Sequence, residues 1–327
     1  MKFRRGLRQA LVMVAALVAI AGCTSGPATT GKFERTYTVT GPLRLELNNT
    51  SGDVSILPSA DDKVHIRADV RASGFGFDNS QKRLDATTLN PPVEQRGNTI
   101  RVGKDSSRLR NLTINYEIEV PHATEVNSTV IAGAQTIRGI KGPVKANAVS
   151  GSIRVEEIEL DVQLSSVTGT VSVADIGSDV RVSSTSGNAT VANVRGDARV
   201  SAVAGVIQII KPAARVEAET KTGSVDIQGA KSDVKAHAIA GKISIQGDPG
   251  NGSYWDLKTV SGGVQLFVPD SASFHLTAQA SSGEIRADIP IVLEEQGKHS
   301  LRAHVGSGAC RIEIHTTSGE IRISGAK

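Results

Sequence analysis

Asp161, Asp179 and Asp197 recur at intervals of eighteen residues, and Asp233 returns at the same phase after Arg215. Carboxylates brought into one row would repel each other or hold a hard cation such as calcium. Calcium needs many oxygen ligands, and a row of single carboxylates supplies few. The bland alternative is that each aspartate caps its own turn, with Arg215 bridging Asp197 and Asp233. The three aspartates are thus a weak metal candidate.

Other chemistry is thinner. The histidines (His65, His122, His237, His275, His299, His304 and His315) carry no H-E-x-x-H spacing and read as surface residues. No serine sits in a Gly-x-Ser-x-Gly elbow, and no pair of acids stands out as glycosidase-like. These absences argue against an enzyme, and no cofactor is implied. Tyr254 and Trp255, the only tryptophan, close the glycine-rich stretch Asp248–Trp255 and form the contact candidate; the alternative is a tryptophan folded back as a plug. Gly74–Phe77 (GFGF) is a second candidate of the same kind. Cys310 falls on the apolar phase of an alternating run and reads as a small buried hydrophobe.

Cys23 is the other cysteine. Lys2, Arg4, Arg5 and Arg8 precede an apolar run, Ala10–Ala21, too short to span a bilayer, and Ile20-Ala21-Gly22-Cys23 follows. This resembles the lipobox of bacterial lipoproteins. The resemblance implies cleavage before Cys23, lipidation of its sulfur, and, with Thr24 in place of an aspartate, the outer membrane. The four basic residues account for the whole formal charge of +4, because residues 1–22 hold no acid. The remainder is near neutral and only 3% of the chain is aromatic, so neither charge nor stacking surfaces point to nucleic acid.

The elements that would carry these residues are set by a repeat. Gly133, Gly151, Gly169, Gly187, Gly205, Gly223 and Gly241 are spaced by eighteen without a slip; Gly262 and Gly283 follow at twenty-one, and Gly319 two periods later. Apolar residues fall two and four places after each glycine (Val171 and Val173 after Gly169), and again eleven and thirteen places after it (Val180 and Val182). Alternation at period two means strands with one face inward. The offsets predict coils of two similar nine-residue halves, each a strand and a corner, with glycine where the corner needs positive φ or close approach. Ser150, Thr168, Ser186, Thr222, Ser261, Ser282 and Ser318 precede the glycines and would stack down one edge. One coil cannot bury enough to stand alone, so coils must stack. A hexapeptide helix fails because aspartates occupy the phase six beyond Val155, Val173, Val191 and Ile227; a calcium β-roll fails because its Gly-Gly-x-Gly-x-Asp phrase is missing.

The expected fold is all-β: a single-stranded parallel β-helix, or solenoid, of 18-residue two-strand coils, right-handed, with a β-rich N-terminal cap and no helix of useful length. The expected organisation is a signal peptide (1–22), lipidated Cys23 with a flexible tether (23–32), a β-rich capping region (33–121) and the repetitive solenoid (122–327). Ser51-Gly52-Asp53-Val54, the strand ending at Pro121, the coils from Gly133 and the closing run Gly306–Ile323 together resemble a bacterial adhesin-type β-solenoid family, named by analogy and of largely unassigned function. The resemblance implies a β-solenoid in envelope and lipid-anchored proteins. The expected function is a lipid-anchored, non-catalytic scaffold or binding surface. Its expected partners are the membrane, through the N-terminal lipid, and an envelope protein or glycan. Alternatives are a polysaccharide- or cell-wall-processing enzyme, a calcium-dependent solenoid, or an accessory subunit of an envelope-stress or export system.

Overall fold

The computed structural model describes residues 29–72, 77–103, 109, 111–308 and 310–326. Cys23 and residues 74–76 of the GFGF stretch lie outside the described residues.

Two large sheets of fifteen and fourteen strands face each other across one apolar column. Each repeat gives one strand to each sheet, and corresponding strands pair in parallel at the repeat interval: Val171↔Ala189 and Val173↔Val191 in one sheet, Val162↔Val180 and Leu164↔Val182 in the other. We call the sheet whose strands run into the corner glycine the leading sheet, and the other the trailing sheet. The chain is a β-solenoid.

The coil from Gly169 shows why the sequence folds this way. Val171, Val173, Ile176, Val180 and Val182 are all buried and stack on equivalents in the coils on either side. Val173 and Ile176 both face inward although they are three positions apart, an odd offset that strict alternation forbids. Asp175 absorbs the odd residue at φ 59°, in the left-handed region. The same position is left-handed in Gly139, Glu157, Asn193, Lys211 and Gly229, so a second eighteen-residue ladder exists beside the glycines. The two halves of a coil are therefore not equivalent, contrary to the sequence expectation. One turns through a left-handed residue of varied type, the other through glycine alone.

Glycine at that second corner is required twice over. Gly187 has φ 131°, a conformation closed to L side chains, and a Cβ there would overlap the carbonyl oxygen of Gly169. The same overlap runs through eleven stacked corners, in the order Gly52, Gly133, Gly151, Gly169, Gly187, Gly205, Gly223, Gly241, Gly262, Gly319, Gly283. At roughly 4.8 Å per step the stack is about 50 Å long.

That order departs from the sequence at both ends. The first coil, Arg44–Ser51 with Val54–Pro58, lies inside the expected capping region, and the chain then leaves the stack and returns at Glu125. The excursion holds most of the cap. Leu112–Val120 pairs in parallel with Val54–Pro58, and Val64–Ala72 and then Thr29–Tyr37 add antiparallel strands outside it. Residues 29–32, expected in a flexible tether, are thus strand. A helix, Phe77–Leu89, also corrects the expectation of none; its Leu84 is buried and packs over Gly31. At the other end, Cys310–Ser318 inserts between Tyr254–Ser261 and Phe274–Ser282, so the Gly319 coil precedes the Gly283 coil in space. A hairpin, Val292–Gln296 with Ser300–Val305, then extends the leading sheet.

Candidate functional site

The leading sheet's outer surface carries a groove of about 870 Å³ beside the glycine corners, spanning eight coils from Ser165 to Gln279. It arises from the last residues of each strand. Four places before the glycine an outward ladder forms one wall, including Ser165, Ser183, Ser201 and His237. Two places before it, Val167, Thr185, Val203, Lys221, Ile239 and Val260 form the other. Between them are small residues, Ser166, Ser184, Ala202, Thr220, Ala238 and Thr259, all buried. The valines and isoleucines of the second wall are 44–54% exposed, far more than the dry column behind them, and Ile131 and Val149 continue the stripe beyond the groove.

The small residues differ in one respect. The hydroxyls of Thr259 and Thr316 donate to the corner carbonyls of Gly241 and Gly262, both at 3.1 Å. Those of Ser166, Ser184 and Thr220 are buried with no hydrogen-bond partner. Charge is concentrated in the middle of the groove. Lys235 holds Glu219, and Asp256 shares a 2.9 Å hydrogen bond with His237 while accepting one from Lys258 at 3.0 Å. Burial opposes ionisation of Asp256, but the bonds from Lys258 and His237 prevail and hold its carboxyl below the usual range. Among the described residues Lys221 has no such partner, and it interrupts the apolar wall between Val203 and Ile239.

Of the residues singled out from sequence, Tyr254 and Trp255 part company. Trp255 is fully buried, in register with Val234 and Ile312, and its Nε1 donates to the Ser232 carbonyl at 2.8 Å. Room for the indole comes from Gly247, whose absent Cβ would press on the ring. Tyr254 is 40% exposed, and its hydroxyl donates to Glu313 at 2.6 Å, which pushes the phenol up to about 12. Cys310 is buried, and desolvation raises its thiol to about 11.

The aspartate row caps turns, but across coils and not within them. Asp161 accepts from the Asp179 amide at 3.4 Å, Asp179 from the Asp197 amide at 2.9 Å, and Asp233 from the Tyr254 amide at 3.0 Å. Asp197 is paired with Arg199, and Arg215 reaches Asp233 but not Asp197. Among the described residues no group of three His, Cys, Asp or Glu side chains is placed to hold a metal ion. His304, on the terminal hairpin, and His275, on the adjoining strand Phe274–Ser282, both approach Glu294, at 3.1 and 3.7 Å. His299 and His315 do not join them.

Sequence reasoning missed the groove. Its signal was present as a β-branched residue two places before most of the glycines.

A family model named Toastrack DUF4097 matches residues 43–324, nearly all of the described solenoid and cap. The chain belongs to this family. No curated protein matches it. Among solved structures, a protein named for cell adhesion from Clostridium sporogenes is 13% identical, with 91% of this chain and 100% of that one covered and a TM-score of 0.21. Adhesin-named proteins from Bacteroides fragilis and Parabacteroides distasonis are 12% and 10% identical over 90% of this chain and 97% of theirs, with TM-scores of 0.22 and 0.25. Likeness at this level carries no functional argument.

Proposed function

We propose that this Toastrack chain is a lipid-anchored cell-envelope protein, held in the outer membrane through Cys23, whose solenoid is a non-catalytic scaffold presenting an adhesin-like binding surface. One observation carries the reading. The groove repeats the same few residue types over eight coils instead of converging unlike ones on a point. Catalysis needs a nucleophile, an acid or base and a charge stabiliser within about 3 Å of a reacting atom. In the groove, His237 is engaged by Asp256, and no hydrogen bond joins it to a groove serine. Repetition suits a long partner bound by many weak contacts.

Two measurements test this. Palmitate labelling and membrane fractionation of Cys23→Ser are expected to show a protein that is unlabelled and released from membranes; labelling that persists removes the anchor. A photocrosslinker at position 260 is expected to trap an envelope component in living cells. The same probe at position 244, on the trailing sheet, is expected to trap none, and equal yields from both would remove the groove.

A further inference from the structure

We infer that two copies of this chain join end to end at the C-terminal end of the solenoid, the terminal hairpin of each filling the step left by the shorter sheet of the other.

The last coils do not finish level. The trailing sheet ends at Ile285–Ala287, in the coil of Gly283, while the leading sheet runs two strands further, through Ser300–Val305 to Val292–Gln296. The inward row Ile312, Leu276, Ala303 and Leu293 passes along this overhang. Its first three members are buried, but Leu293 is 52% exposed. Ile285 and Ala287 are half-buried, whereas their neighbours Ile321 and Ile323, one coil deeper, are fully buried. The other end of the rod is closed differently. There Thr29–Tyr37 and Val64–Ala72 also run past the first coil, but the helix Phe77–Leu89 packs on them at Gly31, which shares the inward phase of Phe33. Among the described residues no element does this for the hairpin.

A second copy does. A coil reverses direction between its two strands, and the hairpin reverses twice more, so Val292–Gln296 runs opposite to Ile285–Ala287. A two-fold axis parallel to the strands and midway between the sheets therefore sets Val292–Gln296 of each copy beside Ile285–Ala287 of the other, antiparallel, in both places at once. Neither sheet then keeps a free edge at this end. An unrelated strand covers one edge and leaves the other, whereas the same step inverted matches both. Leu293 of one copy meets Leu293 of the other across a column about 10 Å wide. Arg286 and Glu295 lie on the outer faces of the two strands that meet, so opposite charges adjoin. Covering a rod end of about 20 Å by 20 Å and the flank of the step buries roughly 1,200–1,400 Å² in all, within the range of specific dimers.

The test uses the full chain purified in detergent. Light scattering, with bound detergent subtracted, is expected to give twice the chain mass at micromolar concentration. Leu293→Asp is expected to weaken the dimer at least about tenfold with far-ultraviolet circular dichroism unchanged, because Leu293 stands half-exposed in the single copy. Leu293→Cys with a short bismaleimide is expected to give a covalent dimer and Ser244→Cys none; the unsubstituted chain is the blank for Cys23 and Cys310. A single-copy mass for the unsubstituted chain, a dimer that survives Leu293→Asp, or equal crosslinking from positions 293 and 244 overturns the proposal. A dimer lost in Val260→Asp overturns it too, by placing the contact in the groove. Capture of a partner at position 260 does not bear on these readouts, so the dimer and the binding surface stand or fall separately.

Discussion

Replacing Gly187 with alanine tests the glycine stack directly. At φ 131° an alanine is held in a glycine-only region, at about 1–3 kcal/mol. Its methyl would also overlap the Gly169 carbonyl, and backbone cannot rotate away as a side chain can. Forcing two coils apart adds about 1–3 kcal/mol, the cost of an overpacked interior. The expected loss is therefore about 2–6 kcal/mol, read as a lower guanidinium midpoint. Gly252→Ala is the control. Gly252 has φ 77° but nothing within 4 Å of a Cβ, so only the left-handed penalty of about 1–2 kcal/mol applies. Gly187→Ala should also admit protease near its corner, because the coils there can no longer close. If its midpoint falls no further than the control's, close approach does not dictate the repeat and the account of the corner is wrong.

Other expectations follow from single residues. Trp255→Ala should cost about 3–5 kcal/mol, and native Trp255 should emit at short wavelength and resist acrylamide. Lys211→Gly should stabilise by about 0.5–1 kcal/mol in thermal unfolding, since Lys211 sits at φ 50° and relief of left-handed strain exceeds the entropic cost of glycine. Tyr254 should titrate near 12 by ultraviolet absorbance, and Glu313→Gln should return it toward its ordinary value. Because the fold raises this phenol and so favours its protonated form, that contribution to stability is complete below about pH 10 and lost as pH climbs toward 12.

The coils were legible in sequence because the physics that sets them is local and repeated: alternation gives strands, and an eighteen-residue glycine interval gives the corner. Three things were not legible. The left-handed ladder through Glu157, Asp175, Asn193 and Lys211 uses residues of no common type, since its only requirement is a backbone angle several residues tolerate at modest cost. The helix Phe77–Leu89 carries no long apolar stripe; one leucine, Leu84, docks it on Gly31. For Trp255 the sequence left contact and folded-back plug both open, because its loop is long and glycine-rich and nothing local shows that the missing side chain of Gly247 leaves room for the indole inside. The groove was hidden for another reason. A valine two places before a glycine falls on the outward phase, and one exposed valine reads as ordinary surface until the stacked coils align it with its equivalents.

The coil formed by residues 310–325 sits second from the end of the stack, with the coil made earlier in the chain outside it. During synthesis the turns up to Gly262 can be laid down one after another, as beads are threaded. Phe274–Ala287 then has no native seat until the polypeptide beyond residue 308 has emerged to slide beneath it. The terminus of the rod is thus fastened in a single late act, like a bolt drawn behind a closing door, and a chain cut short before that point would leave the last finished turn bare and open to another chain's strands.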